Sequence, residues 1–368
     1  MIRLAIDGTP LLGARTGIGE VVAGLTTGLS THADVDITVY ALTWRGRHDL
    51  QGAVPDGVDA ATARIPARVA RQAWLRVEHP RIERWTGPID VVHATNYVAP
   101  PTRAPSIVSV YDLGFVRFPE LCTADALQYP TLLRRAIARG AWIHATSDMV
   151  ANEITDRFAV SPERVVRVYP GVPGTPGGDA ASGQRLAGAH PYVLFLGTIE
   201  PRKNLPVLVR AFDAAAADEP ELVLVVAGSA GWGVDEFDES LAHAHHRNRV
   251  HRLGYVSDAQ RRDLLAGAAA LAYPSRYEGF GFPPLEAMAA GVPVVAARSG
   301  AMPEVVGDAA LLVDADDVDE IAAALLTVVR DADQRRALVT RGHAQLARFS
   351  WDRMSDELAG LYHRLIAA

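Results

Sequence analysis

Two stretches of this chain combine charged residues with glycine, a pairing suited to binding an anion. The first, Gly197 to Leu205 (GTIEPRKNL), places Arg202 and Lys203 side by side. The second, Pro274 to Gly291 (PSRYEGFGFPPLEAMAAG), carries Glu278 and, eight residues later, Glu286. Adjacent cations stabilise charge that develops on a departing phosphate, and one carboxylate accepts hydrogen bonds from two neighbouring hydroxyls. These residue types predict a ligand with diols on both sides of its phosphates, which is a sugar nucleotide.

Each stretch follows an apolar run that predicts a buried strand. Ala268–Tyr273 precedes Glu278, and Tyr192–Leu196 precedes Arg202. After the first of these runs, glycines let a ligand approach the backbone, and Pro283 and Pro284 fit the first turn of a helix, which also holds Glu286. Such a strand–loop–helix junction directs backbone N–H groups and the positive end of a helix dipole toward an anion.

Apolar runs of strand length alternate with helical patterns along the whole chain. The predicted strands are Ile2–Ile6, Ile37–Leu42, Ile89–His93, Ser106–Val110, Trp142–Thr146, Val165–Tyr169, Tyr192–Leu196, Leu222–Ala227, Val250–Leu253, Ala268–Tyr273 and Val292–Ala296. This alternation is typical of parallel sheets with crossover helices, and 368 residues exceed one comfortable core. The predicted class is α/β, with two doubly wound Rossmann-like domains that face a central cleft.

Glycine and proline are concentrated between residues 171 and 189, which predicts a linker without helix or strand. The linker would separate an N-terminal domain, 1–170, from a C-terminal domain, 190–350. Ligands bind beyond the carboxyl ends of the strands in such sheets. We therefore expect the sugar nucleotide, as donor, to bind the C-terminal domain and an acceptor of its sugar to bind the N-terminal domain.

The block GFGFPPLEAMAAGVPVV, with its two glutamates, and the later MPEVVGDAALLV resemble the signature of family 4 retaining glycosyltransferases. Within that family these sequence motifs are most similar to those of bacterial mannosyltransferase-like members. The resemblance implies the GT-B type of fold, with a tail at 351–368 that packs back onto the N-terminal domain. It also implies transfer of a hexose, mannose from GDP-mannose, to a hydroxyl of a glycan or glycolipid with retained configuration. Attack from the front face would then need no protein nucleophile.

The resemblance also assigns roles to individual residues. Arg202 and Lys203 would grip the donor diphosphate, Glu278 would contact sugar hydroxyls, and Glu286 would hold the ribose diol. The remaining donor-side residues are Gly17, Gly19, Gly228, Ser229, Tyr255, Gly279, Phe280 and Gly281.

Four residues after two N-terminal strands are acceptor-side candidates. His93 and Asn96 are expected to face the cleft, although a packed histidine is an equal alternative for His93. Many relatives carry His-Asp where this chain has Tyr111 and Asp112, so Tyr111 cannot act as a cation at neutral pH. Asp112 is grouped with Arg202, Lys203 and Glu278 as catalytic.

Other function classes are open at this point. A UDP-sugar transferase, a sugar-nucleotide epimerase, a phosphorylase and a non-catalytic glycan-binding protein all fit this architecture. Metal-dependent catalysis would use an Asp-x-Asp pair. Two such pairs, Asp34/Asp36 and Asp314/Asp316, are interpreted as solvated charge, so we expect no metal and no cofactor.

The composition and net charge of the chain limit its expected partners and location. The net charge of −7 argues against nucleic acid, which basic proteins bind. A single cysteine, no signal-peptide pattern and no long apolar run lead us to expect a cytoplasmic protein. Residues 64–85 hold six arginines among apolar residues. Two interpretations are open: weak contact with the anionic cytoplasmic face of a membrane, or a solvated surface whose aromatics pack inward.

Overall fold

The chain forms two compact α/β units. The structure, a computed structural model, describes residues 1–13, 16–44, 48–172 and 177–367. Unit 1 comprises Met1–Gly171 and Phe349–Ala368, and unit 2 comprises Val172–Arg348. Each unit contains its own hydrophobic core.

Unit 1 is built on a seven-stranded sheet. Its strands are β1 Ile2–Asp7, β2 Val35–Leu42, β3 Asp59–Ala63, β4 Val91–Ala94, β5 Ser106–Val110, β6 Trp142–Ala145 and β7 Val165–Arg167. Their order in the sheet is β3-β2-β1-β4-β5-β6-β7, and neighbouring strands pair in parallel. The helices between them are α1 Gly17–Leu29, α2 Leu50–Ala53, α3 Ala67–Trp74, α4 Glu83–Thr86, α5 Gly114–Arg117, α6 Tyr129–Ala138 and α7 Asp148–Phe158.

Unit 2 is built on a six-stranded sheet with parallel pairing. It begins with α8 Ala180–Ala187, followed by β8 Tyr192–Leu196, α9 Leu205–Asp218, β9 Val223–Ala227, α10 Val234–His243, β10 Val250–Gly254 and α11 Asp258–Gly267. It continues with β11 Ala270–Tyr273, α12 Phe282–Ala289, β12 Val294–Ala297, α13 Met302–Val306, β13 Ala310–Val313, α14 Val318–Arg330 and α15 Ala332–Leu346. The strand order is β10-β9-β8-β11-β12-β13. Every residue of β8, β9 and β11 is buried, because helices cover both faces of the sheet.

The last helix, α16 Trp351–Ala367, belongs to unit 1, and it packs against α1. Its Tyr362 is fully buried, and the hydroxyl lies 2.7 Å from Nδ1 of His93 on β4. A polar contact thus ties the end of the chain to the centre of the first sheet.

The predicted fold class, two parallel-sheet α/β domains, is confirmed. Each of the eleven predicted strands forms, with end shifts of up to two residues. The edge strands β3 and β13 were missed. Both are short, and β3 (DAATA) lacks the apolar run on which the other predictions rested.

The prediction of a linker without helix at 171–189 is wrong, because α8 spans Ala180–Ala187. Asp179 caps this helix by accepting hydrogen bonds from the backbone N–H groups of Ala181 and Ser182 at 3.2 and 3.1 Å. The helix packs on α11 so closely that a Cβ on Gly183 would lie 1.9 Å from the backbone oxygen of Asp263. Glycine here permits contact between two helices, although its abundance suggested a flexible segment.

Candidate active site

The charged residues predicted in unit 2 lie where the strand order of its sheet reverses. β8 and β11 are neighbours in the sheet but are separated in sequence, and the chain runs outward from them in opposite directions. The loop after β8 leads into a 3₁₀ turn at Pro201–Lys203, and the loop after β11 carries Glu278. Such switch points open a crevice at the carboxyl ends of parallel strands, which is where ligands bind in this fold class.

Lys203 is the one lysine of the chain and lies in this crevice. Its side chain is 11% exposed, and Nζ donates to a carboxylate oxygen of Glu278 at 2.5 Å and to the Tyr273 hydroxyl at 2.7 Å. Burial lowers the pKa of Lys203, and the charge of Glu278 partly offsets that effect. Tyr273 is the last residue of β11, so the sheet itself fixes the position of the ammonium group.

Arg202 approaches the same carboxylate from the other side. Its Nη1 lies 2.8 Å from Oε2 of Glu278 and donates to the carbonyl oxygen of Tyr277 at 2.6 Å. Its Nη2 donates to Glu200 at 2.7 Å. Glu200 directly precedes the 3₁₀ turn, so this ion pair joins the start of the turn to Arg202 within it.

Glu278 is buried and ionised between these two cations. Burial alone would raise the pKa of its carboxyl, but the charges of Lys203 and Arg202 outweigh burial and lower that pKa to about 2. The backbone oxygen of Glu278 accepts a hydrogen bond from the N–H of Ala301 at 2.8 Å, which holds the loop in place. Two carboxylates and two cations therefore form one compact cluster, Glu200, Arg202, Lys203 and Glu278.

This cluster has no net formal charge, yet its members are well suited to a phosphate and a sugar. Phosphate oxygens accept hydrogen bonds from guanidinium and ammonium groups, and sugar hydroxyls donate to a carboxylate. A ligand with both groups could replace the internal ion pairs without leaving a buried charge unpaired. The structure thus brings Arg202, Lys203 and Glu278 together, as their positions after neighbouring strands predicted.

Glu286 does not join the cluster. It is 2% exposed and accepts a hydrogen bond from Arg261 on α11 at 2.8 Å. The prediction that Glu286 lies in the first helical turn is wrong, since α12 begins at Phe282 and Glu286 is its fifth residue. Arg261 was missed, because nothing in the sequence links it to a position 25 residues away.

Gly279, Phe280 and Gly281 lead directly into α12. Phe280 is 6% exposed and packs edge to face on Phe282, with ring centroids 5.3 Å apart. Gly281 caps the helix with φ +94°, a conformation that disfavours other residues. The N–H groups of the first turn are thereby placed beside the Glu278 loop.

The three predicted nucleobase-side residues lie after β9 and β10. Gly228 passes so close to the neighbouring loop that a Cβ there would lie 1.9 Å from the backbone oxygen of Gly197. Ser229 is exposed, and its carbonyl oxygen accepts from the N–H of Ile199 at 3.0 Å. Tyr255 is 75% exposed, so its ring is open for stacking.

In unit 1, Gly17 and Gly19 form the start of α1 rather than a free loop. Thr16 caps the helix, and its side-chain oxygen accepts from the N–H of Gly19 at 3.4 Å. The rest of the predicted glycine-rich loop includes positions 14 and 15, which lie outside the described residues.

The expectation that His93 faces a cleft is wrong. His93 is fully buried, with Nδ1 2.7 Å from the Tyr362 hydroxyl and Nε2 2.8 Å from the Ser109 hydroxyl. Ser109 continues the chain of contacts to Nδ1 of His144 at 2.8 Å. Burial lowers the pKa of His93 well below its usual value, so the ring is neutral. The alternative of a packed histidine is correct, because β4 is covered on both faces.

The other acceptor-side candidates are partly accessible. Asn96 is half-buried in the loop after β4. Tyr111 donates its hydroxyl to the carbonyl oxygen of Thr95 at 2.8 Å, and burial raises its pKa, so it stays neutral. Asp112 is also half-buried, and its Oδ1 accepts from the N–H of Gly114, the first residue of the short helix α5, at 2.8 Å.

Sequence reasoning missed three residues that lie near Asn96 in the structure. Asp7, Tyr40 and Arg71 line one cavity with it, although they come from β1, β2 and α3. The available signal was weak: Asp7 is a lone carboxylate that ends an apolar strand, and Arg71 was grouped with a basic surface.

Neither Asp34/Asp36 nor Asp314/Asp316 is part of a group of described residues that could hold a metal ion. Asp34 lies 2.6 Å from Nε2 of His363, and Asp316 accepts from Nη2 of Arg276 at 2.7 Å. Within the described ranges, no group of three or more His, Cys, Asp or Glu residues is placed to hold a metal ion. None of the helices that the structure describes has both the length and the apolar character of a membrane span.

Comparison with known proteins places the chain in a family. Residues 15–173 match the family model described as Glycosyltransferase Family 4, and residues 182–345 match the model described as Glycosyl transferases group 1. The chain is 31% identical to O-antigen chain mannosyltransferase B of Escherichia coli over 317 residues, which cover 82% of this chain and 83% of that protein.

Solved structures agree on the fold. Sucrose-phosphate synthase of Thermosynechococcus elongatus superimposes with a TM-score of 0.76 at 19% identity, over 100% of both chains. Anabaena HepE, solved in complex with UDP-glucose, gives a TM-score of 0.72 at 18% identity, over 99% of this chain and 100% of that one. The match of both sheets, the charged cluster at the switch point and the mannosyltransferase relative lead to one conclusion: this chain belongs to family 4 of the glycosyltransferases and is a glycosyltransferase.

Proposed function

We propose that the protein transfers mannose from GDP-mannose to a hydroxyl of a glycan or glycolipid, with retained anomeric configuration and without a metal ion. The observation that carries this proposal is the cluster of Arg202, Lys203 and Glu278 at the switch point of the unit 2 sheet. The sequence relative named as a mannosyltransferase supports mannose as the sugar.

In this proposal the donor exchanges partners with the cluster. The diphosphate takes over the hydrogen bonds that Arg202 and Lys203 give to Glu278, and the released carboxylate accepts from hydroxyls of the sugar. Negative charge grows on the leaving diphosphate as the glycosidic bond breaks, so the two cations stabilise the transition state more than the ground state. An oxygen of that phosphate then accepts the proton of the attacking hydroxyl. These cations do the work for which other enzymes use a divalent metal.

Glu286 would hold the ribose diol of the nucleotide. Its present partner, Arg261, is about one-third exposed, so that side chain has room to move when the diol arrives. Tyr255, with its exposed ring after β10, would stack on the base.

The first experiment is calorimetric titration of the protein with GDP, UDP, ADP and TDP in the presence of EDTA. We expect GDP to bind without metal, and we expect Arg202→Ala to abolish binding. A preference for UDP would replace the proposed donor by a UDP-sugar, the runner-up donor class. Binding that requires a divalent ion would contradict the metal-independent mechanism.

Stereochemistry is tested on the product. With GDP-mannose and a mannoside acceptor, the one-bond carbon–proton coupling at the new anomeric centre reports its configuration. We expect the α configuration of the donor to be kept. A β product would refute retention while leaving the transferase assignment intact.

We also propose weak contact with anionic lipid through residues 64–85. Arg68 is exposed on α3 beside Val69 (57% exposed), and Val77 (50% exposed) follows that helix, whereas Trp74 packs inward. Exposed arginines with neighbouring apolar side chains suit a charged lipid surface. Cosedimentation with anionic vesicles at low salt should fall for Arg68→Gln but not for Arg353→Gln on α16. Equal sedimentation of both variants would refute the contact.

A further inference from the structure

A small polar cavity opens at the carboxyl ends of the central strands in unit 1. Its volume is about 40 Å³, and its polar lining comes from Asp7, Tyr40, Arg71 and Asn96, with Tyr129 beside them. β1 and β4 are the neighbours at which the strand order of this sheet reverses. The cavity therefore lies at the place in the unit 1 sheet where ligands bind in doubly wound folds.

Asp7 supplies a carboxylate that the protein only partly satisfies. It is 8% exposed, and its Oδ1 accepts a hydrogen bond from the N–H of Thr9 at 2.9 Å. Burial raises the pKa of Asp7, while the charge of Arg71 and the Thr9 hydrogen bonds act in the opposite direction. A carboxylate accepts several hydrogen bonds, so capacity remains for a donor in the cavity.

The hydroxyl of Tyr40 is the second element. Tyr40 is 2% exposed, and its hydroxyl oxygen is buried with no hydrogen-bond partner among the described residues. Arg71 likewise keeps its buried Nε without a partner, while Nη2 donates to Asp125 at 2.6 Å. A buried polar group left unpaired costs about 1–3 kcal/mol, and native structures rarely keep one without a reason.

The size of the cavity limits the ligand. A water molecule needs roughly 10–15 Å³ of such space, so 40 Å³ admits a hydroxymethyl group or about three to four waters but no sugar ring. A hydroxymethyl group brings one donor and one acceptor, which match the Asp7 carboxylate and the Tyr40 hydroxyl.

We propose that this cavity binds the exocyclic hydroxymethyl group of the acceptor's terminal hexose. Asp7 accepts a hydrogen bond from the hydroxyl of that group, and Tyr40 donates a hydrogen bond to its oxygen. The inference rests on the proposed function, because it presumes a glycan acceptor, and it makes Asp7 and Tyr40 specificity-determining residues. Acceptors that lack the hydroxymethyl oxygen are rejected because the two buried groups then stay unpaired.

The test uses methyl α-D-mannopyranoside and its 6-deoxy analogue as probes, titrated without nucleotide and followed by ligand-observed NMR. We expect the protein to bind the first sugar about 10-fold more tightly than the second, the size of one buried hydrogen bond. Tyr40→Phe should bind both sugars equally. Its unfolding temperature should not fall, since the lost hydroxyl has no protein partner.

Asp7→Asn is the second variant, because an asparagine oxygen can still accept from Thr9, and it should reduce the preference as well. Tyr362→Phe is the control: it removes a buried hydroxyl from the His93 contact and should lower stability without altering the preference. An unchanged preference in Tyr40→Phe and Asp7→Asn, or no binding of either sugar, overturns the inference. Failure of the nucleotide titration would refute the proposed function instead, and the sugar titration would still decide the cavity.

Discussion

The polar sites of the two units differ in how many of their buried polar groups have ion-pair or hydrogen-bond partners. In unit 2, Lys203 and Arg202 pair with Glu278 at 2.5 to 2.8 Å, and the cluster that they form with Glu200 has no net formal charge. In unit 1, Tyr40 keeps a buried hydroxyl beside Asp7 that has no partner in the part of the chain that the structure describes. One site must break existing ion pairs to bind a ligand, and the other has unused hydrogen-bonding capacity.

The contrast separates charge from shape as sources of recognition. A self-paired cluster is stable without a ligand, and it favours a ligand that supplies both an anion for the cations and hydrogen-bond donors for the carboxylate, as a sugar diphosphate does. An unpaired cavity of 40 Å³ selects by size and by one or two hydrogen bonds. We therefore expect changes in the cluster to alter turnover strongly and changes in the cavity to alter preference modestly.

The largest effect is expected from Lys203→Met, which keeps the length of the side chain and removes its charge. Loss of one preorganised electrostatic contact lowers kcat by about 10²–10³-fold. The measurement is release of GDP from GDP-mannose with a mannoside acceptor. Arg276→Gln is the control, because Arg276 lies in the loop that carries Glu278 and forms an exposed ion pair with Asp316. Turnover within 10-fold of the parent protein would remove Lys203 from the mechanism.

Glu286→Gln should weaken nucleotide binding with a smaller effect. Losing charged hydrogen bonds to the ribose diol costs about 1–3 kcal/mol, or roughly 10- to 100-fold in Kd measured by calorimetry. Glu239→Gln on α10 changes an exposed carboxylate in the same unit and should be neutral. If both variants bind alike, Glu286 serves only to hold Arg261.

The pH dependence of stability should distinguish the two units. His93 and His144 are buried and neutral in unit 1, and burial lowers the pKa of His144 to about 4. The unfolded chain protonates them below pH 6.5, so unit 1 loses stability as the pH falls below about 6.5, by at most about 1.4 kcal/mol per pH unit for each ring, and the contribution of His144 extends down to about pH 4.

In unit 2, the low pKa of Glu278 makes stability depend on pH over a lower pH range. Its contribution is complete above the unfolded pKa of 4.5 and is lost as the pH falls toward 2. Urea unfolding between pH 7.5 and 3, with His144→Asn and Glu278→Gln as reporters, should show two separate windows. A single common window would contradict these assignments.

The smallest effect is expected from Glu200→Gln. This change leaves Arg202 with one carboxylate partner and gives the cluster a net positive charge. Affinity for GDP should rise by roughly 3- to 10-fold, the scale of one net hydrogen bond. Calorimetry at two salt concentrations would check that the gain is electrostatic, since salt screens it. A loss of affinity would mean that Glu200 orients Arg202 rather than competing for it.

Local patterns predicted the site in unit 2 because its residues follow neighbouring strands directly. Arg202, Lys203 and Glu278 needed only the rule that parallel strands present their carboxyl ends at one edge of the sheet. The pairing between them was not predictable, because it depends on the side-chain distances that the fold creates. Their roles in binding the donor remain predictions.

Sequence patterns did not predict which residues belong to a site where burial by distant parts of the chain decides it. His93 ends an apolar run, as a ligand-binding residue can, but in the structure it packs against Ser109 and against Tyr362, which is 269 residues away. Asp7 and Tyr40 have no pattern that joins them, since they lie on different strands. Likewise, glycine at 183 suggests a linker until α11 is seen to require it.

The place of α16 has a consequence for biosynthesis. Residues 351–367 complete unit 1, with Tyr362 buried against β4, yet they are made after all of unit 2. Unit 2 is one continuous segment and has every strand and helix it needs by residue 348. Unit 1 therefore stays incomplete, without the contact of Tyr362 to His93, until α16 has been made, whereas unit 2 needs no residue beyond 348.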